Sequence, residues 1–237
     1  SLSCSSSSPL DKLKAGLEVY DEYSIILADM KTEGFFSPSY YHSYKIVYAE
    51  KKKPAEEKKT AGEKQESDDY VYRNYKTDWY RVGKREYQKY YGYLGMTLLA
   101  KSKDGKVDTT PSPAGYRYVG NTTYGHWRTD NSGNSFWEFY GKCAFFSSMF
   151  SHTFNRPIYR SYYNSYTTAH GAGRPYYGYG NRFGTNGTAT QKTHANFFQR
   201  QKAYSQAKKA SFAQRVKNRT SRSSSRSTRS RSGGYGK

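Results

Sequence analysis

The chain of 237 residues carries 39 Lys and Arg against 19 Asp and Glu, a formal charge of +20, with 27 tyrosines and only two cysteines. Two cysteines far apart in sequence exclude a disulfide framework. The richest apolar stretch, residues 124–150, is broken by Lys142, Ser147 and Ser148, short of the ~20 apolar residues that a bilayer span requires.

Residues 1–10 read SLSCSSSSPL, a lone Cys4 followed by four serines and Pro9. This start resembles the mature N-terminus of bacterial lipoproteins. The resemblance implies a lipid on Cys4, a Ser-rich tether over 1–10, export behind a signal sequence and a place in the cell envelope. A single acyl chain holds a membrane only marginally, so a second chain or a basic patch elsewhere in the protein would complete the anchor.

A domain is expected over residues 11–150. Residues 11–20 suit a short helix or the lead into a strand. Residues 23–31 and 40–50 are rich in β-branched and aromatic side chains. In the second, His42, Tyr44, Ile46 and Tyr48 share one face and Ser43, Lys45, Val47 and Ala49 the other. Gly34 and Pro38 lie between the two runs, so an antiparallel pair is predicted. Residues 51–68 mix charges with no large apolar side chain and read as a mobile loop. Residues 69–93 alternate Tyr and Trp with polar residues, the pattern of strands on a half-wet sheet. Their interleaved Arg and Lys also suit a nucleic-acid stacking platform, although cross-strand tyrosine pairs explain the same pattern. Residues 94–100 form an apolar run, the KDGK of 103–106 is a hairpin signal, and 111–115 is a loop. Residues 116–119 and 124–128 read as short strands.

Residues 130–134 (DNSGN) form a turn cluster. Ser135 stands three residues before Glu138, the spacing of a capping box, so a helix is predicted from about 135 to 150. Its apolar residues run nearly all round the cylinder, which reads as a buried core helix; the competing reading is a helix that meets a membrane or a partner. The expected fold class is α+β, a small antiparallel sheet with one buried helix at about 135–150, followed by a long low-complexity basic C-terminal extension.

Carboxylates end at Glu138. Residues 1–138 hold 21 Lys and Arg against 19 Asp and Glu, a balance of +2, and residues 139–237 hold 18 against none, a balance of +18. Such a segment attracts polyanions by long-range fields and counterion release. Residues 151–191 are rich in Tyr, Gly, Asn and Arg and poor in aliphatics, a composition that does not pack a core alone. Their rings and guanidiniums point to adhesive contacts, including self-association. Residues 192–218 suit a basic helix with a weak apolar stripe through Phe197, Tyr204, Ala207, Phe212 and Val216. Residues 219–237 form an Arg/Ser/Gly tail expected to be disordered. The candidate polyanion-binding residues are Arg156, Arg160, Arg174, Arg182, Arg200, Lys202, Lys208, Lys209, Arg215, Lys217, Arg219, Arg222, Arg226, Arg229 and Arg231.

Catalytic signatures are missing. His42, His126, His152, His170 and His194 are scattered without metal-ligand spacing, and neither a phosphate-binding loop nor a nucleophile elbow is present. Cys143 reads as a small buried hydrophobe. The sequence therefore predicts a protein without cofactor, metal or enzymatic activity. Its leading function is an exported, lipid-tethered envelope protein whose basic extension holds an anionic surface polymer or membrane. The alternative is a nucleic-acid-binding, RNA-directed protein with a basic Arg/Ser tail.

Overall fold

The computed structural model describes residues 7–52 and 70–227, with side chains to residue 221. Cys4, most of the loop expected at 51–68, and Arg229 and Arg231 lie outside the described residues. The fold is α+β, with a mostly antiparallel sheet and several helices.

A short helix α1 (Pro9–Leu17) opens the chain. Ser8 accepts from the Asp11 N–H while the Asp11 carboxylate accepts from the Ser8 N–H, and Pro9 sits in the first turn where its missing donor costs nothing. The long strands β1 (Tyr23–Glu33) and β2 (Ser39–Lys51) follow as the antiparallel pair the sequence predicts. β3 (Tyr70–Lys76) and the short β4 (Tyr80–Val82) both pair with β2. On the other side of β1 lies β5 (Met96–Lys101), which carries β6 (Val107–Asp108) across the KDGK turn and β7 (Ser112–Pro113) beyond it. The sheet thus has seven strands, in the order β3-β2-β1-β5-β6 with β4 on β2 and β7 on β5, and is larger than the sequence suggests.

Both faces of this sheet are covered. On one face Tyr44, Ile46, Ile25 and Leu27 pack against Leu10 and Leu17 of α1, Tyr87 and Phe197. On the other, Ile26 and Val47 meet Tyr118, Tyr124, Cys143, Phe146 and Phe150. Strands sealed on both sides lose the alternation of buried and wet residues. Strands β3 and β4, on the edge of the sheet, keep the half-wet character expected of residues 69–93, with Arg73, Asn74, Tyr75, Lys76 and Arg81 exposed. Part of that stretch is not strand at all, since Lys84–Tyr90 form helix α2, which lays Tyr87 onto the core and stacks it on His42, and Tyr91–Tyr93 form a 3-10 turn.

The predicted helix at 135–150 is also corrected. Residues 130–134 do turn, but the chain returns as β9 (Ser135–Phe139) against β8 (Gly125–Thr129). Glu138 caps no helix; it receives Arg128 across the hairpin, and Trp137 faces Trp127 at 5.2 Å between centroids. An apolar run cannot by itself separate a buried helix from a buried strand, and here turn geometry decides. Short helices α3 (Phe145–Met149) and α4 (Ser151–Phe154) follow a 3-10 turn at Gly141–Cys143. Residues 116–118, expected in a strand, form another 3-10 turn.

The core does not end at residue 150. Helix α5 (Arg160–Gly171) presents Tyr166 to Tyr116 and Tyr176, around which Ile158 and Trp137 close a third cluster. Phe183 and Ala189 close a fourth on Met96. Aromatic rings here take the place of the absent aliphatics, and fully burying one contributes roughly 1.5–3 kcal/mol. The segment expected to be irregular is thereby part of the fold. Helix α6 (Thr188–Thr193) leads into α7 (Ala195–Ser227), the longest element, which carries the basic helix predicted for 192–218 to Ser227.

Candidate polyanion interface

Helix α7 leaves the domain along one line. Positions 197, 201, 204, 208, 212, 215, 219, 222 and 226 fall within a stripe about 80° wide at 3.6 residues per turn. At its start the stripe is a packing face. Phe197 is buried, the Gln201 amide donates to the Tyr87 hydroxyl at 3.3 Å, and the Tyr204 hydroxyl donates to the Gly34 carbonyl at 2.9 Å. Phe35, at the tip of the β1–β2 hairpin, stacks obliquely on Tyr204. The tip ends at the exposed Phe36, over which the Arg215 guanidinium lies at 4.6 Å. Beyond that point the same stripe continues as Arg219, Arg222 and Arg226. Residues 212–221 are all exposed. The apolar stripe of the sequence reading is thus realised only in its first half, and Phe212 and Val216 stand in solvent.

Across Ala195–Ser227 there are nine Lys and Arg and no carboxylate. The helix is about 50 Å long at 1.5 Å per residue. Arg200 is the exception among its cations: its Nη2 lies 2.5 Å from Asp29 Oδ1 on β1, so it fastens the helix rather than offering charge. Lys202, Lys208, Lys209, Lys217 and Arg219 are exposed.

The remaining predicted cations, Arg156, Arg160, Arg174 and Arg182, lie on the domain before α7. Arg160, at the start of α5, stacks over Trp127 at 4.7 Å. The Arg182 Nη2 donates to Asn155 Oδ1 at 3.3 Å while its guanidinium lies 5.4 Å from the Phe183 centroid. Burial and the neighbouring Arg156 lower its pKa from the usual guanidinium range. Arg156 and Arg174 are exposed. A ring orients Arg160, and a ring and an amide orient Arg182; among the described residues none of the four has a carboxylate partner within ion-pair distance.

The sequence gives no sign of a second arrangement, because its residues are distant along the chain. A pocket of about 390 Å³ at the base of α7 is lined by Lys45, Lys76, His152, His194 and the first residues of the helix. The two imidazole centroids stand 6.1 Å apart, and burial lowers both pKa values, that of His152 to about 4. Burial also lowers Lys45, whose Nζ donates to the Met149 carbonyl at 2.7 Å. Asp29, held by Arg200, is the acidic group of this wall. Among the described residues no group of three His, Cys, Asp or Glu could hold a metal ion. No described helix is long and apolar enough to cross a membrane. No protein-family model, curated protein or solved structure matches the chain.

Proposed function

We propose that the protein is a non-catalytic nucleic-acid-binding protein, in which an aromatic α+β domain holds the arm α7 along a phosphate backbone. The observation that carries this reading is the change along one helix face, from Phe197, Gln201 and Tyr204 on the core to Arg215, Arg219, Arg222 and Arg226 past the hairpin tip. A helix packed at one end and cationic at the other is held in direction, so less ordering entropy is lost when it meets a linear polyanion. Arginine outnumbers lysine beyond residue 212, and the guanidinium fork matches two phosphate oxygens at once.

The same helix is poorly suited to a membrane surface. A helix lying in the lipid interface needs an apolar face opposite its charges, and the exposed half of α7 offers only Phe212 and Val216. The envelope reading, which rests on the charge division at Glu138 and on a lipid at Cys4, a residue outside the described part, is the competing outcome of the test.

The test is fluorescence anisotropy of the full chain with a labelled 20-base-pair duplex, alongside co-sedimentation with neutral and anionic phospholipid vesicles. The reading expects binding to the duplex that is lost when the chain is ended after Tyr204, and weaker retention on vesicles. Retention on anionic vesicles without duplex binding would overturn it in favour of the membrane partner.

A further inference from the structure

Residues 178–182 present an aromatic side chain in an unusual way. Gly178, Gly180 and Asn181 all have positive φ, at 77°, 66° and 52°. Left-handed backbone is costly for a residue with a side chain and persists only where surroundings fix it. A Cβ on Gly178 would stand 2.5 Å from the Phe183 ring, so the turn is tied to the fourth core cluster. The product of this geometry is Tyr179, 62% exposed, its ring parallel to Tyr162 at 4.3 Å and 13°. Tyr162 in turn is fixed from below, its carbonyl accepting from the Tyr176 hydroxyl at 3.0 Å. One face of Tyr179 is thus backed by a rigid ring.

Tyr162 also lines an open pocket of about 470 Å³ between the start of α5 and the β8–β9 turn, with Arg160 on its wall. Arg182, three residues from Tyr179 in sequence, donates to Asn155 Oδ1 at 3.3 Å, beside the next residue, Arg156. The one carboxylate of the adjacent turn, Asp130, is occupied by the N–H groups of Ser132 and Asn134. An exposed ring among cations without counterions is the combination that holds a single nucleic-acid strand, with bases stacked on aromatic faces and phosphates held by guanidiniums. A duplex, whose bases are already stacked, gains nothing from such a ring.

Building on the nucleic-acid reading, we infer that Tyr179, backed by Tyr162 and flanked by Arg156, Arg160 and Arg182, is a stacking site for an unpaired base, so that the preferred partner contains single-stranded nucleic acid. The arm α7 supplies the affinity common to any phosphate backbone, and the Tyr179 face supplies the preference for an unpaired strand.

The experiment compares a labelled 20-mer single strand with a hairpin duplex of equal phosphate number, using the full chain and the variants Tyr179→Ala and Tyr179→Trp. Removing the ring should weaken single-strand binding about tenfold, as stacked aromatics do elsewhere, leave the duplex unchanged, and be reversed by Tyr179→Trp. If Tyr179→Ala alters neither ligand, or weakens both equally, the stacking site falls while the arm stands. If the wild-type chain binds neither ligand, both fall. If Tyr179→Ala changes only the sedimentation of the protein, the ring belongs to contacts between copies and the inference is overturned.

Discussion

Tyrosine and arginine are handled differently in the two parts of this chain. In the part before residue 139 they meet carboxylates. Tyr70 donates to Asp21 at 2.6 Å, Tyr72 and Tyr124 converge on Glu22, and Arg117 ion-pairs with the same Glu22 at 3.2 Å. Arg73 reaches Glu50 and Arg128 reaches Glu138. The part after residue 139 supplies no carboxylate of its own; Arg200 and His170 reach back to Asp29 and Asp108, while the Tyr176 and Tyr204 hydroxyls turn to backbone carbonyls and the Arg160, Arg182 and Arg215 guanidiniums turn to ring faces. A carboxylate orients a cation and neutralises it. A ring orients it and leaves the charge in place. Arg160, Arg182 and Arg215 are thereby oriented with their charge in place.

The largest expected effect lies at the centre of the front region. Glu22 is buried, and burial together with Glu22 pushes the Tyr72 and Tyr124 phenols far above their ordinary range. Glu22→Gln leaves the nearly buried Arg117 without its counter-charge, and breaking one partner of such a pair costs about 3–5 kcal/mol. Urea denaturation should show that loss, and a change below about 1 kcal/mol would deny the network its role.

Acid should act next in size, through the neutral buried histidines. Burial lowers His42 and His152 from the ordinary 6.5 to about 4. Folding therefore expels protons below pH 6.5, where the unfolded chain binds more of them. Their contribution is complete above pH 6.5, is lost as pH falls, and levels off near pH 4. The loss is on the order of 3 kcal/mol per histidine. Denaturation midpoints between pH 7 and 4.5 should fall for the wild type and fall less for His152→Gln; a flat profile would contradict the burial.

A smaller effect tests whether the Tyr/Gly-rich segment is built into the fold. Gly184 has φ of 76°, and a Cβ there would stand 2.6 Å from the Gly92 carbonyl oxygen. Gly184→Ala should cost roughly 2 kcal/mol through strain and displaced backbone, measured by thermal unfolding. An unchanged melting temperature would mean that residues 178–187 do not dock on the domain.

Much of the sheet could be read from residue patterns. The β1–β2 pair follows from β-branched and aromatic enrichment around Gly34 and Pro38, and the β5–β6 hairpin from Asp104-Gly105. The capping-box rule misleads at Ser135 and Glu138, where a strand partner claims the carboxylate, while the box that the structure forms at Ser8 and Asp11 goes unread. Local spacing cannot register a cross-strand cation. Residues 151–191 were misjudged because low aliphatic content signals disorder only when aromatic rings are not stacked on one another, and Tyr116, Tyr166 and Tyr176 are. For the candidate interface, the division of charge at Glu138 was plain, but it could not show that Arg200 is consumed by Asp29. Nor could it show that Tyr179 is held outward, or that His152 and His194 face one pocket across 42 positions.

The central claim is that the cations along the distal stripe of α7 meet phosphate, Lys208, Arg215 and Arg219 being exposed on it. It is tested most directly by the salt dependence of duplex binding, comparing the wild type with a variant in which Lys208, Arg215, Arg219, Arg222 and Arg226 are all replaced by Gln. Each phosphate contact contributes about −0.9 to the slope of log K against log salt. The slope should become less negative by roughly 4 to 5, with the melting temperature unchanged. An equal slope in the two proteins would contradict the claim.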